Sequence, residues 1–294
     1  MTTERISPEF TYSSHFVNVL GSKMHYIEQG HGDPILFLHG IPTSSYLWRN
    51  IIPYLAPLAR CIAADLIGMG QSDKPNIEYT IADHIRYMDK FIESLQLKNI
   101  TLVMHGWGSI IGLDYAMRHE KNCKALVFYE AFLRPLNGNP VSLPFQEQLG
   151  ELEDMTEAAD VAANPTNFIE QIIAQGVMRP LTKIELNYYR APFQTAGSAK
   201  PLQQYLNELT DEHGKAAIDK VIAHYSKKLT QSKLPKLMLY SVPGFITTIA
   251  TALWARDHLP NLTIVDIGEE LHYAQESHPQ LMGESISAWL QALV

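Results

Sequence analysis

Residues 100–117 read ITLVMHGWGSIIGLDYAM. The first five residues are apolar and predict a buried strand, and the last eight follow a helical pattern. Between them, the run from His105 to Ser109 contains two glycines, which suit a sharp turn from strand to helix. Such a turn raises its central side chain above the end of a sheet, but the central residue here is Gly106. The stretch therefore predicts an α/β fold with an exposed turn that carries no reactive side chain.

Segments typical of strands and helices alternate over most of the chain. Helical spacing is clearest at residues 81–95, where Thr80 and Asp83 predict a capping box. A hairpin is predicted around Gly21, and continuous apolar runs elsewhere are typical of strands buried on both faces. We therefore expect eight strands in a mostly parallel sheet that helices cover on both faces. The predicted strands are 16–20, 24–27, 35–38, 61–66, 100–104, 125–129, 236–240 and 262–267.

The alternation stops near residue 134 and resumes with the apolar run at 234–240. The intervening stretch shows helical patterns, loops and recurring prolines. We therefore expect residues 1–133 and 216–294 to form an α/β core domain, and residues 134–215 to form a helical cap inserted into it.

The composition narrows the classes of partner and compartment. The chain of 294 residues has 23 basic and 31 acidic residues, a net charge of −8, and shows no basic stripe. A nucleic-acid partner is therefore not expected. We expect no membrane segment, because no run of about 18 apolar residues occurs. The N-terminus lacks an apolar signal region, which favours a cytoplasmic location.

The cysteines and histidines predict neither a disulfide framework nor a metal site. Cys61 and Cys123 are far apart and lie in or beside apolar runs, which favours two buried thiols. The histidines complete no metal-binding motif. We therefore expect no metal and no cofactor.

Three further positions are typical of catalytic groups at the carboxyl ends of strands, where ligands bind in open α/β sheets. His39 and Gly40 follow the strand at 35–38, and a backbone N–H of such a loop can help to stabilise an oxyanion. Glu130 ends the strand at 125–129, and His272 follows the last strand. An acid that orients a histidine fixes its tautomer and stabilises its charged form.

At these residues the chain resembles haloalkane dehalogenases, in the branch whose acid follows the sixth strand. The resemblance covers roughly residues 15–294 and is thinner in the expected cap. It implies an α/β-hydrolase fold with an eight-stranded sheet and an inserted cap. The matching stretches are ILFLHGIPTSSYLWRN at 35–50, CIAADLIGMG at 61–70, HGWGS at 105–109, YEA at 129–131 and LHYAQE at 271–276.

The resemblance also implies a reaction and assigns roles. In this family an aspartate on the turn displaces halide from an alkyl carbon and forms an ester, which water then hydrolyses. His272 matches the base that activates water, Glu130 its acid, and Trp107 one donor to the departing halide ion. The expected partner is a small apolar or halogenated organic molecule. The residues that match the family's apolar pocket are Phe168, Leu209, Phe245 and Leu271.

Two residues depart from the family's pattern. Gly106 occupies the position of the nucleophilic aspartate. Ile41 occupies the position of an asparagine that usually holds the halide, and its side chain donates no hydrogen bond. Formation of the ester is therefore expected to be absent or strongly impaired, since losing one member of a catalytic set can lower the rate by about 10⁴–10⁶-fold.

Three interpretations are compatible with this sequence. The chain can be a dehalogenase-like hydrolase whose nucleophile has been lost. It can be a repurposed enzyme in which the pair His272 and Glu130 acts as a base in elimination, cyclisation, cofactor-free oxygenation or direct attack by water. It can also be a non-catalytic protein that binds a small apolar molecule.

Overall fold

The computed structural model describes residues 6–136, 141–157, 161 and 164–293. Eight strands occur in these residues: β1 (Ser14–Val19), β2 (Ser22–Gln29), β3 (Pro34–Leu38), β4 (Arg60–Ala64), β5 (Ile100–Gly106), β6 (Cys123–Ala131), β7 (Lys236–Pro243) and β8 (Leu262–Glu270). They form one sheet in the order β1-β2-β4-β3-β5-β6-β7-β8. The pairs β1–β2 and β2–β4 are antiparallel, and all other pairs are parallel. The predicted eight-stranded, mostly parallel sheet is confirmed.

Helices occupy most of the connections between the strands. In the described residues they are α1 (Ile52–Leu55), α2 (Ile81–Ser94), α3 (Trp107–Arg118), α4 (Leu143–Glu157), α5 (Pro165–Gln175), α6 (Lys183–Arg190), α7 (Lys200–Thr210), α8 (Glu212–Leu229), α9 (Ile249–His258), α10 (Ala274–Ser277) and α11 (Pro279–Gln291). Short 3₁₀ turns lie at Ser45–Trp48, Glu120–Asn122 and Ala191–Phe193. Helices α2 and α8 both pack against α3, whereas α1 packs against α11.

Local sequence signals correctly located two elements. The hairpin turns at Leu20 and Gly21, which both have positive φ, as a type I′ turn requires. Thr80 and Asp83 form the predicted capping box at the start of α2.

Several strands run further than their apolar residues predicted, and for β5 and β6 the extension affects the site. β5 continues through Gly106, and β6 continues to Ala131. Their pairing shifts register at this end, because His105 pairs with Tyr129 whereas Gly106 pairs with Ala131. Glu130 is thus the extra residue of a β-bulge, and its φ is +51°. A bulge redirects the side chain of its extra residue, here the candidate acid.

Helix α3 approaches the strand ends closely because glycines face them. A Cβ atom at Gly108 would overlap the carbonyl oxygen of Leu38 and would lie 2.6 Å from the carbonyl oxygen of His39. A Cβ atom at Gly112 would overlap the sulfur of Met104. The first turn of the helix can therefore lie directly against the end of β3.

The segment between β6 and β7 is helical in its described part and contains α4 to α8. The proposed cap boundary at residue 215 falls inside α8, which packs on α3 of the sheet domain. Residues 137–140, 158–160, 162 and 163 of the predicted cap lie outside the described residues. The division into core and cap stays a prediction.

A buried network of ion pairs joins this helical segment to the sheet domain. Arg49 binds Glu276 at 2.6 Å and Glu185, on α6, at 2.9 Å. Arg179 binds the same two carboxylates at 3.1 and 2.6 Å, and the hydroxyl of Tyr189 donates to Glu276. Removing one member of such a network leaves an uncompensated buried charge, which is strongly destabilising.

Two other observations concern membrane-spanning helices and cysteines. No helix in the described parts of the chain is both long and apolar enough to cross a membrane. Cys61 and Cys123 are buried free thiols.

We predict that Gly108→Ala destabilises the protein by about 3 kcal/mol, because the new methyl group collides with the backbone of β3. Gly150→Ala is the matched control, since Gly150 is an exposed residue within α4 and has nothing within 4 Å of its Cβ position. Alanine there should stabilise by about 0.5–1 kcal/mol. Urea unfolding of both variants measures the difference, and equal effects would contradict the close packing of α3.

Candidate active site

The turn after β5 has the backbone of a nucleophile elbow. Gly106 has φ +51° and ψ −126°, a conformation that residues with side chains rarely adopt. The carbonyl oxygen of Gly106 accepts a hydrogen bond from the hydroxyl of Ser109 at 2.6 Å, and that hydroxyl in turn accepts one from the N–H of Phe132 at 3.0 Å. Ser109 therefore stabilises the turn, and its hydroxyl is engaged within the backbone.

His272 lies directly opposite the apex of the turn. A Cβ atom at Gly106 would lie 3.2 Å from Nε2 of His272 and 3.5 Å from its Cε1. Because a side chain at residue 106 would project toward this ring, position 106 and the candidate base face each other across a very short gap.

The other ring nitrogen of His272 contacts Glu130. Nδ1 lies 3.0 Å from Oε2 of Glu130, and Glu130 is fully buried. The carboxylate also accepts hydrogen bonds from the backbone N–H groups of Phe245, Ile246 and Thr247, at 3.1, 2.6 and 3.1 Å. The β-bulge of β6 thus aims Glu130 at the loop after β7 as well as at His272.

Burial disfavours charge on both members of this pair. It raises the pKa of Glu130 to about 8, against the three backbone N–H groups, which act to lower it. Burial lowers the pKa of His272 to about 3. The imidazole is therefore neutral near pH 7, and the carboxyl group keeps its proton to higher pH than a solvent-exposed glutamate does. Once Glu130 has lost its proton, its carboxylate accepts a hydrogen bond from Nδ1–H of His272. Nε2 of His272 then carries no proton and can take one from a reacting group.

The loop that carries His272 is held from two sides. The carbonyl oxygen of Gly176, at the end of α5, accepts hydrogen bonds from the N–H groups of His272 and Tyr273 at 2.8 Å each. Nε2 of His105 lies 2.8 Å from the carbonyl oxygen of His272. A Cβ atom at Gly176 would lie 2.7 Å from the ring of Tyr273, so this close contact requires glycine.

Trp107 supplies a donor beside the turn. Its side chain is buried, and Nε1 has no hydrogen-bond partner in the described residues. Its backbone nitrogen is also near the loop after β3, at 3.3 Å from the position that a Cβ atom of Gly40 would occupy. Ile41 follows in that loop and is 3% exposed. The unpartnered N–H of the Trp107 side chain can donate a hydrogen bond to a bound anion. The hydrocarbon side chain of Ile41 has no donor for such an anion.

The space beside His272 is small. The pocket has a volume of about 10 Å³, which holds about one water molecule. Of the four predicted pocket residues, Phe245 lines this pocket. Phe168 and Leu209 are buried and Leu271 is partly buried, but none of the three lines it. The lining residues are Phe145, Gln148, Ile172, Tyr205, Phe245, Ile246, His272 and Tyr273.

Sequence reasoning missed most of this lining. Tyr205 on α7 packs edge-on against Trp107, with ring centroids 5.0 Å apart, and Phe145 on α4 packs against Phe245 at 5.1 Å. Tyr273 directly follows the candidate base, and that adjacency is a signal that could have identified it. Tyr205 and Phe145 carry no such signal, because only the packing of α4 and α7 brings them to the site.

The comparisons with known sequences point to one family. Residues 33–279 match the family described as the alpha/beta hydrolase fold. A haloalkane dehalogenase of Mesorhizobium japonicum is 35% identical over 285 residues, which cover 95% of this chain and 91% of the relative. A haloalkane dehalogenase of Sphingobium indicum strain B90A is 36% identical over 291 residues, which cover 95% of each chain.

Solved structures agree with the sequence comparison. The crystal structure of haloalkane dehalogenase DbeA from Bradyrhizobium elkani superposes with a TM-score of 0.88 at 33% identity, covering 96% of this chain and 98% of that one. Haloalkane dehalogenase DatA from Agrobacterium tumefaciens C58 gives a TM-score of 0.87 at 32% identity, with 96% and 97% covered.

We predict that His272 makes stability depend on pH between about 3 and 6.5. The ring stays neutral in the folded protein but is protonated in the unfolded chain below 6.5, so its contribution to stability is lost as the pH falls. When the pH is lowered from about 7.5 to about 5, the unfolding free energy of the parent chain should fall by about 2 kcal/mol more than that of His272→Gln.

Urea unfolding at the two pH values measures this difference. His31→Gln, which replaces an exposed histidine, is the control and should show no comparable change. A difference between the parent chain and His272→Gln that stays constant with pH would contradict the burial of a neutral ring.

Proposed function

Because the chain belongs to the haloalkane dehalogenase family of α/β-hydrolases, we propose that it keeps the proton-transfer half of the family's hydrolytic site and lacks the half that forms an ester. Under this proposal His272 is the base and Glu130 orients it. Gly106 occupies the place of the nucleophile and Ile41 the place of the second halide donor. The protein is then a dehalogenase-like hydrolase with ester formation absent or strongly impaired.

One observation carries the proposal: a side chain at residue 106 would point at Nε2 of His272 from 3.2 Å. With a small shift of the ring to admit the Cβ atom, a carboxylate at residue 106 would lie beside the base that delivers water to the resulting ester. The hydroxyl of Ser109 does not replace the carboxylate, since it donates to the carbonyl oxygen of Gly106.

The remaining groups support slow, direct attack by water. A water molecule beside Nε2 of His272 would lose its proton to the ring as its oxygen attacks an alkyl carbon. The carbon–halogen bond would break at the same time, and Nε1 of Trp107 would donate to the departing halide ion. General base catalysis of this kind contributes about 10²–10⁴-fold, well below what a covalent route provides.

The helices between β6 and β7 are part of the proposal. We assign residues 134–215 to a cap, because Phe145 on α4 and Tyr205 on α7 cover the space beside His272. The pocket volume of about 10 Å³ means that even a small halogenated alkane enters only when these side chains move. The proposed substrates are therefore short and apolar.

We predict that Gly106→Asp raises halide release from a short bromoalkane by about 10²–10⁴-fold over the parent chain, since the nucleophile is restored next to His272. Ion chromatography of released bromide measures it. Gly106→Ala is the control, because it adds the same Cβ atom and the same backbone strain, about 1–3 kcal/mol, without a carboxylate.

A second measurement separates the two halves of the site. In Gly106→Asp/His272→Ala the alkyl ester on residue 106 should form but not hydrolyse, and its mass should be detectable on the intact protein. If Gly106→Asp releases no more halide than Gly106→Ala, the proposed reaction is wrong for this chain.

We further predict that Ile41→Asn, added to Gly106→Asp, raises halide release by about 10-fold or more, because an amide N–H joins Trp107 as a donor to the halide ion. Ile41→Leu on the same background is the control for a change of side-chain shape. A gain that is equal in both variants would exclude a specific role of the amide.

A further inference from the structure

A second group of catalytic residue types lies at the antiparallel edge of the sheet. Nδ1 of His25 is 2.8 Å from Oδ2 of Asp65, and Nε2 of His25 is 3.0 Å from the hydroxyl oxygen of Ser14. The three side chains thus form the linear chain of contacts, hydroxyl to imidazole to carboxylate, that activates a serine in hydrolases.

The register of the hairpin brings these residues together. Ser14 and Phe16 are two apart on β1 and therefore face the same side of the sheet. Phe16 pairs directly with His25 on β2, which makes Ser14 its diagonal neighbour. Asp65 follows β4, and its N–H donates to the carbonyl oxygen of His25 at 2.9 Å.

Asp65 is fixed in place as a carboxylate. It accepts hydrogen bonds from the N–H groups of Ser45 at 2.7 Å and Gln71 at 2.8 Å, in addition to its contact with His25. Burial acts to raise the pKa of Asp65, but the hydrogen bond and charge of His25, the charge of His39 and the Ser45 N–H hold it below the ordinary value. The ionised acid can therefore orient His25.

Only the serine of this group reaches the surface. His25 and Asp65 are buried, whereas Ser14 is exposed. Phe16, which is 52% exposed, lies beside the imidazole with its ring centroid 5.2 Å from that of His25. β1 is the edge strand of the sheet in the described residues, so alternate N–H groups along it have no strand partner there.

The exposed ring of Phe16 offers an aromatic ligand a contact next to Ser14, and a separate aromatic pocket, which Ser14, His25 and Phe16 do not line, lies at the far member of the group. Asp65 lines this open pocket of about 400 Å³ between the N-terminal segment and α6. Its walls include Phe10, Tyr46 and Tyr188, whose rings pack against one another with centroids 4.2–5.9 Å apart. Three strands separate β1 from β5 in the sheet, which places Ser14 about 19 Å from the strand that carries the Gly106 turn.

We propose that Ser14, His25 and Asp65 form a second hydrolytic site, which cleaves small esters of phenols. The Ser14 oxygen attacks the ester carbonyl carbon as its proton passes to Nε2 of His25. The bond to the phenol oxygen breaks, and His25 returns the proton to that oxygen. A water molecule then hydrolyses the acyl-serine, giving a carboxylic acid and free Ser14. Ser14 and His25 are the catalytic residues, and Asp65 is a positioning residue.

The test uses p-nitrophenyl acetate with the full-length chain. Release of p-nitrophenol should fall about 100-fold in Ser14→Ala, toward the uncatalysed rate. Ser13→Ala is the matched control, since Ser13 is the adjacent exposed serine and lies just before β1. A fluorophosphonate probe should add to Ser14 in the parent chain and in Ser13→Ala, as located by peptide mass spectrometry.

Two further variants define the mechanism. Ester hydrolysis and the fluorophosphonate adduct on Ser14 should both persist in His272→Ala, whereas loss of hydrolysis with the adduct retained would assign ester cleavage to the first site instead. Asp65→Asn should lower kcat by about 100-fold with little change in KM, because misorientation of His25 impairs proton transfer and leaves ester binding intact.

The proposal is overturned if Ser14→Ala hydrolyses the ester at the parent rate, or if the probe labels other residues and not Ser14. A loss of activity in Ser13→Ala equal to that in Ser14→Ala would also overturn it, because it would show a general effect on the edge strand.

Discussion

The close approach of α3 to the ends of β3 and β5 is the constraint on which the site depends. Glycine at 108 and 112 lets the helix start directly against the strands, and the backbone at Gly106 then turns with φ of +51°. This turn places the N–H of Trp107 beside Gly40 and aims position 106 at His272. With a side chain at Gly108, the helix would have to move away, and these distances would be lost together.

A buried carboxyl group forms the second fixed point. Glu130 lies in a bulge at the end of β6, and three backbone N–H groups of the loop after β7 donate to it. His272 is placed by that carboxyl group, by Gly176 from the helical segment and by His105 from β5. The pair of His272 and Glu130 is therefore built from the same contacts that hold three separate parts of the chain together.

The two sites that we propose rest on different parts of one sheet. The parallel centre gathers residues at strand ends, where loops with positive φ present them. The antiparallel edge instead aligns side chains across neighbouring strands, and this alignment joins Ser14 to His25. The fold thus places a histidine next to an acid in two different ways, as His272 with Glu130 and as His25 with Asp65. Of these two pairs, the one at the sheet edge also contacts a hydroxyl group, that of Ser14.

Apolar runs, glycine positions and strand ends are local signals, and from them the amino-acid sequence predicted the sheet and the turn at Gly106. The same signals made the pairing of His272 with Glu130 a hypothesis. The sequence did not reveal where β5 and β6 end, since the bulge at Glu130 depends on the register between two strands. Nor could it reveal that Tyr205 and Phe145 fill the pocket, or that Ser14 meets His25. Those contacts join residues far apart in the chain, and only the packing of the helices and the register of the hairpin decide them.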